Sequence, residues 1–176
     1  MGLTISAVTI PALPEYRSEA GFEAMVLPEA ERLYRLALAI VDDRADAEDV
    51  VQETLLSAWR RWPALSDYAN HSAWLTRVCV NHSIRRRRQF RTRILGLGDR
   101  EMLPRQPEPS PFEGRLLDVH RAYQHLSPPQ RAMVTLHLRD GFTVNECAVL
   151  IGCRPGTARS HLGRAMVKLR KELGNA

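Results

Sequence analysis

The stretch DAEDVVQETLLSAWRRWP, residues 46–63, decides how this chain folds. At about 100° per residue, Ala47, Val50, Val51, Thr54, Leu55, Ala58 and Trp62 fall on one arc of a helix, an apolar face that needs a core to cover it. The helix is expected from about Ala45 to Trp62. It stops at Pro63, because proline cannot donate to the helical ladder and disfavours helical geometry in the residue before it. Asp46, Asp49, Glu53 and Arg60 fall on the opposite arc with Leu56 among them. One exposed leucine means little on a surface that is apolar in large part. Set in a row of carboxylates it marks either a docking surface or a solvated helix face, and the pattern leaves both readings open.

Upstream, Leu33, Leu36, Ala37 and Ile40 recur every three or four residues and predict a helix over about 28–41. Downstream, a loop over Pro63 to Ser72 leads into a third helix from about Ala73 into an arginine tract. Leu75, Val78, Cys79 and His82 share one face of it, and Trp74, Arg77, Asn81 and Arg88 share the other. Cations, an amide and an aromatic are what a nucleic-acid face needs: arginine neutralises phosphate, asparagine bonds base edges, and an aromatic ring stacks on an unpaired base. Cys79 and His82 have C-x-x-H spacing, but further ligands to complete a metal site are missing nearby, so both read as core or boundary residues.

The charge distribution supports several partners rather than one. The chain has 176 residues, 44% of them hydrophobic, with 25 Lys and Arg against 20 Asp and Glu for a formal charge of +5. From Asp42 to Glu53 six acids oppose Arg44 alone, whereas Arg77 to Arg93 and Gly152 to Lys171 contain no acid. Two basic faces and one acidic face suit polyanions and a second kind of partner. Three cysteines, Cys79, Cys147 and Cys153, are too few for a disulfide scaffold and fit a reducing cytoplasm. No apolar run approaches bilayer-spanning length, so no membrane insertion is expected.

Helical periodicity stops between Gly96 and Gly114, where Gly98, Pro104, Pro107, Pro109 and Pro111 crowd together as a linker. Beyond it Ser127-Pro128-Pro129-Gln130 carries the signals of a helix start, with Ser127 as N-cap and Gln130 placed for a capping box. That helix is expected to end near Asp140-Gly141; Thr143 then caps a short helix of about Val144 to Leu150, and Pro155 opens a longer one to about Leu173. A helix pair joined by a Gly-containing turn reads as helix-turn-helix. In the last helix Leu162, Met166, Leu169 and Leu173 are expected inward and Thr157, His161, Arg164 and Lys168 outward. The early residues Arg154, Thr157, Arg159, Ser160 and His161 are then the readers of a major groove.

These stretches together resemble one family. Asp46 to Arg60 resembles the polymerase-binding signature of extracytoplasmic-function sigma factors, group 4 of the sigma-70 family. Ala73-Trp74-Leu75-Thr76-Arg77-Val78-Cys79-Val80-Asn81, running into Arg85 to Arg88, is similar to that family's promoter-melting and minus-10 element. Leu126 to Arg131 and Gly152 to Ser160 resemble its minus-35 domain. The resemblance implies an all-α fold of two small helical domains. Residues 1–18 would be a flexible extension, 19–93 sigma domain 2, 94–114 a flexible Pro-rich linker, and 115–176 the helix-turn-helix sigma domain 4.

It further implies that Asp46, Asp49, Gln52, Glu53, Leu56 and Trp59 dock on core RNA polymerase. Asn81 would hold a flipped base in a pocket completed by the loop Tyr68 to His71, Asn70 included, with Trp74, Arg77, Arg85 and Arg88 on the minus-10 DNA. Arg154, Thr157, Arg159, Ser160, His161, Arg164 and Lys168 would bind the minus-35 DNA. Expected partners are core polymerase, promoter DNA and an anti-sigma factor, with no cofactor, metal or catalytic residue. Arg154 stands where the family has a small hydroxyl cap, and Ala158-Arg159 where it has a valine-lysine pair.

Two rival readings explain less. An ordinary helix-turn-helix repressor would use only the C-terminal half. A nuclease would need carboxylates or histidines converging on a metal or nucleophile, whereas His71, His82, His120, His125, His137 and His161 are scattered.

Overall fold

A computed structural model describes residues 19–65, 70–96 and 111–174, and all regular structure in these segments is helical. The elements are α1 (Glu19–Val41), α2 (Arg44–Arg60), α3 (Trp62–Leu65), α4 (His71–Gly96), α5 (Pro111–Gln124), α6 (Pro128–Val134), a π-helical turn (Thr135–Arg139), α7 (Val144–Ile151) and α8 (Pro155–Leu173). The expected extension 1–18, the loop residue Tyr68 and most of the expected linker, 97–110, lie outside the described residues.

Helix α1 begins nine residues before the sequence expectation and runs through Pro28. Tertiary contact explains this. Phe22 meets Trp59 and Trp62 edge-on, with ring centroids 5.0 and 5.5 Å apart, and Val26 is buried. That burial outweighs the missing amide of one proline. Asp42 ends α1 in the left-handed conformation, φ 63°, and its amide returns to the Leu38 carbonyl at 2.9 Å. Asp43 then caps α2, its Oδ1 accepting from the Asp46 amide at 2.9 Å.

The apolar arc read from the sequence of α2 is the packed one: Ala47, Val50, Thr54, Ala58 and Trp62 are buried, while Val51 and Leu55 are partly so. Helices α1, α2 and α4 close around Leu33, Leu36, Ile40, Leu75, Cys79 and Val80. Buried hydroxyls in this core are satisfied within their own helices. Thr54, Thr76 and Ser83 donate to the carbonyls four residues back at 2.7–2.8 Å. Cys79 donates to the Leu33 carbonyl, and burial pushes its thiol up to about 12, so it is a packing residue.

In the second half the expected capping box is built, with Gln130 accepting from the Ser127 amide at 3.0 Å, and the expected cap Thr143 turns out to be half of a second box, with Glu146 accepting from the Thr143 amide at 2.8 Å. Gly152, φ 76°, ends α7 in a Schellman motif, with the Cys153 amide on Ala148 and its own on Val149. The helix expected to run to Asp140 instead widens after Val134 into the π-helical turn, closed by the Asp140 amide on Thr135 at 3.1 Å.

The halves share one core. Met133, Leu136, Cys147 and Ala148 join the cluster of α1, α2 and α4, while Ala122, Leu126, Ala165 and Leu169 form a smaller one. Arg131, almost fully buried, lies 3.4 Å from Asp42, which also lies within ion-pair distance of Arg87 and His120. Burial, and then Arg87, lower the Arg131 pKa against the pull of Asp42. No helix among the described residues is long and apolar enough to cross a membrane.

Candidate polymerase and nucleic-acid interfaces

The outer arc of α2 is exposed as read, but part of it is engaged. Leu56 and Trp59 are 54% and 46% exposed, and Gln52, Asp49 and Glu53 also reach the surface. Asp46 is tucked beneath Arg86 of α4, whose Nε donates to its Oδ1 at 2.7 Å, and the same guanidinium pairs with Asp49. Hydrogen bonding to Asp46 is the main cause that raises the Arg86 pKa. Glu53 meets His82 Nδ1 at 2.9 Å. The acidic face is therefore tied to α4 by three contacts, Arg86 with Asp46, Arg86 with Asp49 and His82 with Glu53, between residues 40, 37 and 29 positions apart, which no local periodicity reveals.

The other stripe of α4 faces a cavity of about 580 Å³ at the seam with α2. Trp74, Arg77, Asn81 and Arg85, all expected from the sequence, line it from α4. Ser57 and Arg61 line it from α2, and Val78 and His82 complete it. Ser57, Arg61, Val78 and His82 were not expected here; the signal for Arg61 was a cation closing α2, in the run Trp59-Arg60-Arg61-Trp62. Asn70 has a different place from the one expected: its Oδ1 caps α4 by accepting from the Ala73 amide at 2.9 Å. His71 opens that helix and is half-buried. Arg88 lies with Asn81 on a second cavity of about 530 Å³ between α4 and the turn of the helix pair, where Gly152 and His161 line the other side.

Helix α8 starts at Pro155 with Arg154 at the N-cap, and the Arg154 side chain makes no capping bond. Arg154, Thr157, Arg159, Ser160 and Arg164 are exposed together. Two expected readers are not free in the same way. His161 is half-buried toward α4, and burial, Arg164 and Arg88 lower its pKa. Lys168 donates to the His125 carbonyl at 3.0 Å and to Gln130 Oε1 at 3.3 Å, so it braces its own half. The inward face of α8 also differs in part from the expected one. Ala158, Ala165 and Leu169 are buried, Leu162 and Met166 are partly so, and Leu173 is 41% exposed. Alanines let the helix approach α5, α6 and α7 closely, and so the smallest side chains mark the contact.

No group of three His, Cys, Asp or Glu among the described residues could hold a metal ion. What the surfaces offer is an acidic-apolar helix face, a cationic cavity with an aromatic and an amide, and a basic helix at the end of a helix-turn-helix. The sequence matches the family model for Sigma-70 region 2 over residues 25–93 and that for Sigma-70, region 4, over 116–169. RNA polymerase sigma-E factor of Streptomyces coelicolor is 33% identical over 157 residues, covering 86% of this chain and 85% of that protein. ECF RNA polymerase sigma factor SigL of Mycobacterium tuberculosis is 37% identical over 149 residues, covering 81% and 84%. Among solved structures, sigma factor RpoE of Bartonella quintana, in complex with the anti-sigma factor NepR, superposes with a TM-score of 0.65 at 27% identity over 88% of this chain and 97% of that one.

The chain belongs to the sigma-70 family of transcription initiation factors, which are not enzymes. Within it, the chain is an extracytoplasmic-function sigma factor: it binds core RNA polymerase, takes it to promoter DNA and takes part in opening it.

Proposed function

We propose that the two halves divide this work residue by residue. Residues 19–93 act as sigma domain 2, 115–176 as sigma domain 4, and 94–114 as the linker. The exposed face of α2, with Asp49, Gln52, Glu53, Leu56 and Trp59, docks on polymerase, and Asp46 shapes that face through Arg86. Trp74, Arg77, Asn81 and Arg85 receive a base flipped from the minus-10 strand, with Arg88 on the adjoining DNA; Tyr68 is assigned to the same element from the sequence. Arg154, Thr157, Arg159, Ser160 and Arg164 read the minus-35 duplex, joined by His161 once α8 leaves α4.

The observation that supports this reading best is the cavity at the α2–α4 seam, where a stacking ring, a base-reading amide and guanidinium groups converge. Flipping a base loses a few kcal/mol of stacking and pairing, which such a pocket offsets without an ATPase. The minus-10 and minus-35 elements lie roughly 25 base pairs apart, about 85 Å at 3.4 Å per pair. Asn81 and His161 line a single cavity, so the halves separate when both elements are bound. The relative from Bartonella quintana was solved with an anti-sigma factor, and we assign this chain the same class of regulator. Its place of action is the cytoplasm, with core polymerase. Transcription from promoter fragments by purified core polymerase, with and without the chain, tests the proposal. New specific starts that need the chain support it; tight duplex binding without any binding to core polymerase refutes it.

A further inference from the structure

The arginines around α4 fall into two sets. Arg86 is held by Asp46 and Asp49, and Arg87 donates to the Val41 carbonyl at 2.7 Å and lies near Asp42. These cations are engaged within the fold. Arg61, Arg77 and Arg85 line the seam cavity and have no carboxylate partner among the described residues. A protein that gathers three guanidinium groups around one cavity without an acid to balance them leaves room for an anion.

Arg61 differs from the other two because it comes from the polymerase-docking helix. It is the C-cap of α2: its amide bonds to Ala58 and Trp59, and its carbonyl accepts from Ala64 at 2.9 Å and Leu65 at 2.8 Å. Its backbone is thus fixed at the junction of α2 and α3 while its side chain is exposed. Interaction with the carbonyl end of α2 accounts for a cation at this position. It does not account for the cavity wall that Arg61 and Ser57, four residues apart on one helix face, build opposite Trp74 and Asn81.

We propose that Arg61 is a phosphate-binding residue of the strand pocket, and that with Ser57 it makes the polymerase-docking helix the second wall of that pocket. The ligand is a nucleotide of single-stranded DNA. Its base stacks at Trp74 and bonds Asn81, and the adjoining phosphate lies between Arg61 and the arginines of α4. The inference rests on the reading of the seam cavity as the strand site, and it adds that docking and strand capture share one helix. Movement of α2 on polymerase would then reach the melted strand through Arg61 directly.

The test uses holoenzyme assembled from core polymerase and the full chain, and a single-stranded oligonucleotide carrying the non-template minus-10 sequence of its promoter. Arg61→Gln keeps the stem and the backbone and removes the charge, while Arg60→Gln is the neighbouring control. Expected for Arg61→Gln is about tenfold weaker binding of the single strand at low salt, with the salt slope reduced by about 0.7, the value of one phosphate on a single strand. Arg60→Gln should match the wild type in single-strand binding and its salt slope, and core-polymerase affinity should be unchanged in Arg61→Gln.

A methylphosphonate placed at successive linkages in the oligonucleotide should weaken wild-type binding at one linkage, and at that linkage Arg61→Gln should add no further loss. The same sequence as a closed duplex should show no dependence on Arg61. Loss of single-strand binding in Asn81→Ala but not in Arg61→Gln would overturn this proposal and leave the pocket reading intact. No loss in either variant would overturn both. Weakened core binding by Arg61→Gln, or an equal effect on the duplex, would make Arg61 a docking or general phosphate residue and also overturn it. Were Arg61→Gln to fold poorly, Arg61→Lys would serve, with the salt slope and the linkage dependence both retained and single-strand affinity lowered by loss of the guanidinium fork.

Discussion

Arg86 of α4 donates through Nε to Asp46 of α2 at 2.7 Å and pairs with Asp49 through the same guanidinium. Two carboxylates of the face proposed to dock on polymerase therefore also hold α4, the helix proposed to receive the minus-10 strand, in place. Hydrogen bonds that fix both ends of a planar guanidinium set orientation as well as energy, so α2 and α4 are locked in register.

The variant Asp49→Lys with Glu53→Lys is expected to lose at least a hundredfold in affinity for core polymerase, measured by fluorescence anisotropy. Because both carboxylates also meet α4, through Arg86 and His82, it should lose on the order of 1 kcal/mol of stability as well. Helical content should stay native, since both side chains are half-exposed and point away from the core. Loss of helicity would show that this face is structural rather than a docking surface.

Asp42→Asn should destabilise the chain by about 3 kcal/mol in urea unfolding, because Arg131 is left buried without its carboxylate. Asparagine tolerates the left-handed backbone at this position, so strain does not confuse the result. Arg131→Met should lie within about 1 kcal/mol of the wild type, since an apolar side chain removes the buried charge altogether. Equal destabilisation by both variants would contradict this account of the contact between the halves.

The contact between α8 and α4 should weaken in acid. Burial, Arg164 and Arg88 lower the His161 pKa below its unfolded value, so protonation opposes the fold. The stabilisation from neutral His161 is present above the ordinary histidine pKa and is lost as the pH falls through the folded value. Wild type should thus lose more stability than His161→Gln between pH 7.5 and 5, read by thermal melts. Parallel losses would assign the pH dependence elsewhere.

Lys168 and Arg159 should separate by readout. Lys168→Ala removes bonds to His125 and Gln130 and should lower stability by about 1 kcal/mol. Arg159→Ala, exposed on the leading turns of α8, should leave stability within about 0.5 kcal/mol and reduce minus-35 duplex affinity and its salt slope. The reverse pattern in melting and binding titrations would exchange their roles.

Much of this was legible because it is local. The arc of α2 is a periodicity within one helix, and Ala47, Val50, Thr54 and Ala58 are buried as that periodicity requires. The capping box at Ser127 and the cap at Thr143 are equally local signals, whereas the part of Glu146 in a second box shows only in the structure. The start of α1 was hidden because Pro28 has the character of a helix start, and only Phe22 against two tryptophans carries the helix past it. The inward face of α8 was read in part: Leu162, Met166 and Leu169 pack inward, Leu173 does not, and Ala158 and Ala165 were passed over because they look neutral beside leucine and methionine. Ser57 and Arg61 reach the α2–α4 seam cavity, and Arg131 reaches Asp42, across separations that no periodicity encodes.

The most direct test is the rate of promoter opening by holoenzyme carrying wild type or Asn81→Ala, followed by 2-aminopurine fluorescence in the minus-10 strand, beside equilibrium binding to the closed duplex. The account predicts that opening slows by about tenfold while duplex affinity changes by less than about twofold, because Asn81 meets the base only after it leaves the stack. Equal loss of opening and duplex binding, or an unchanged opening rate, would contradict it.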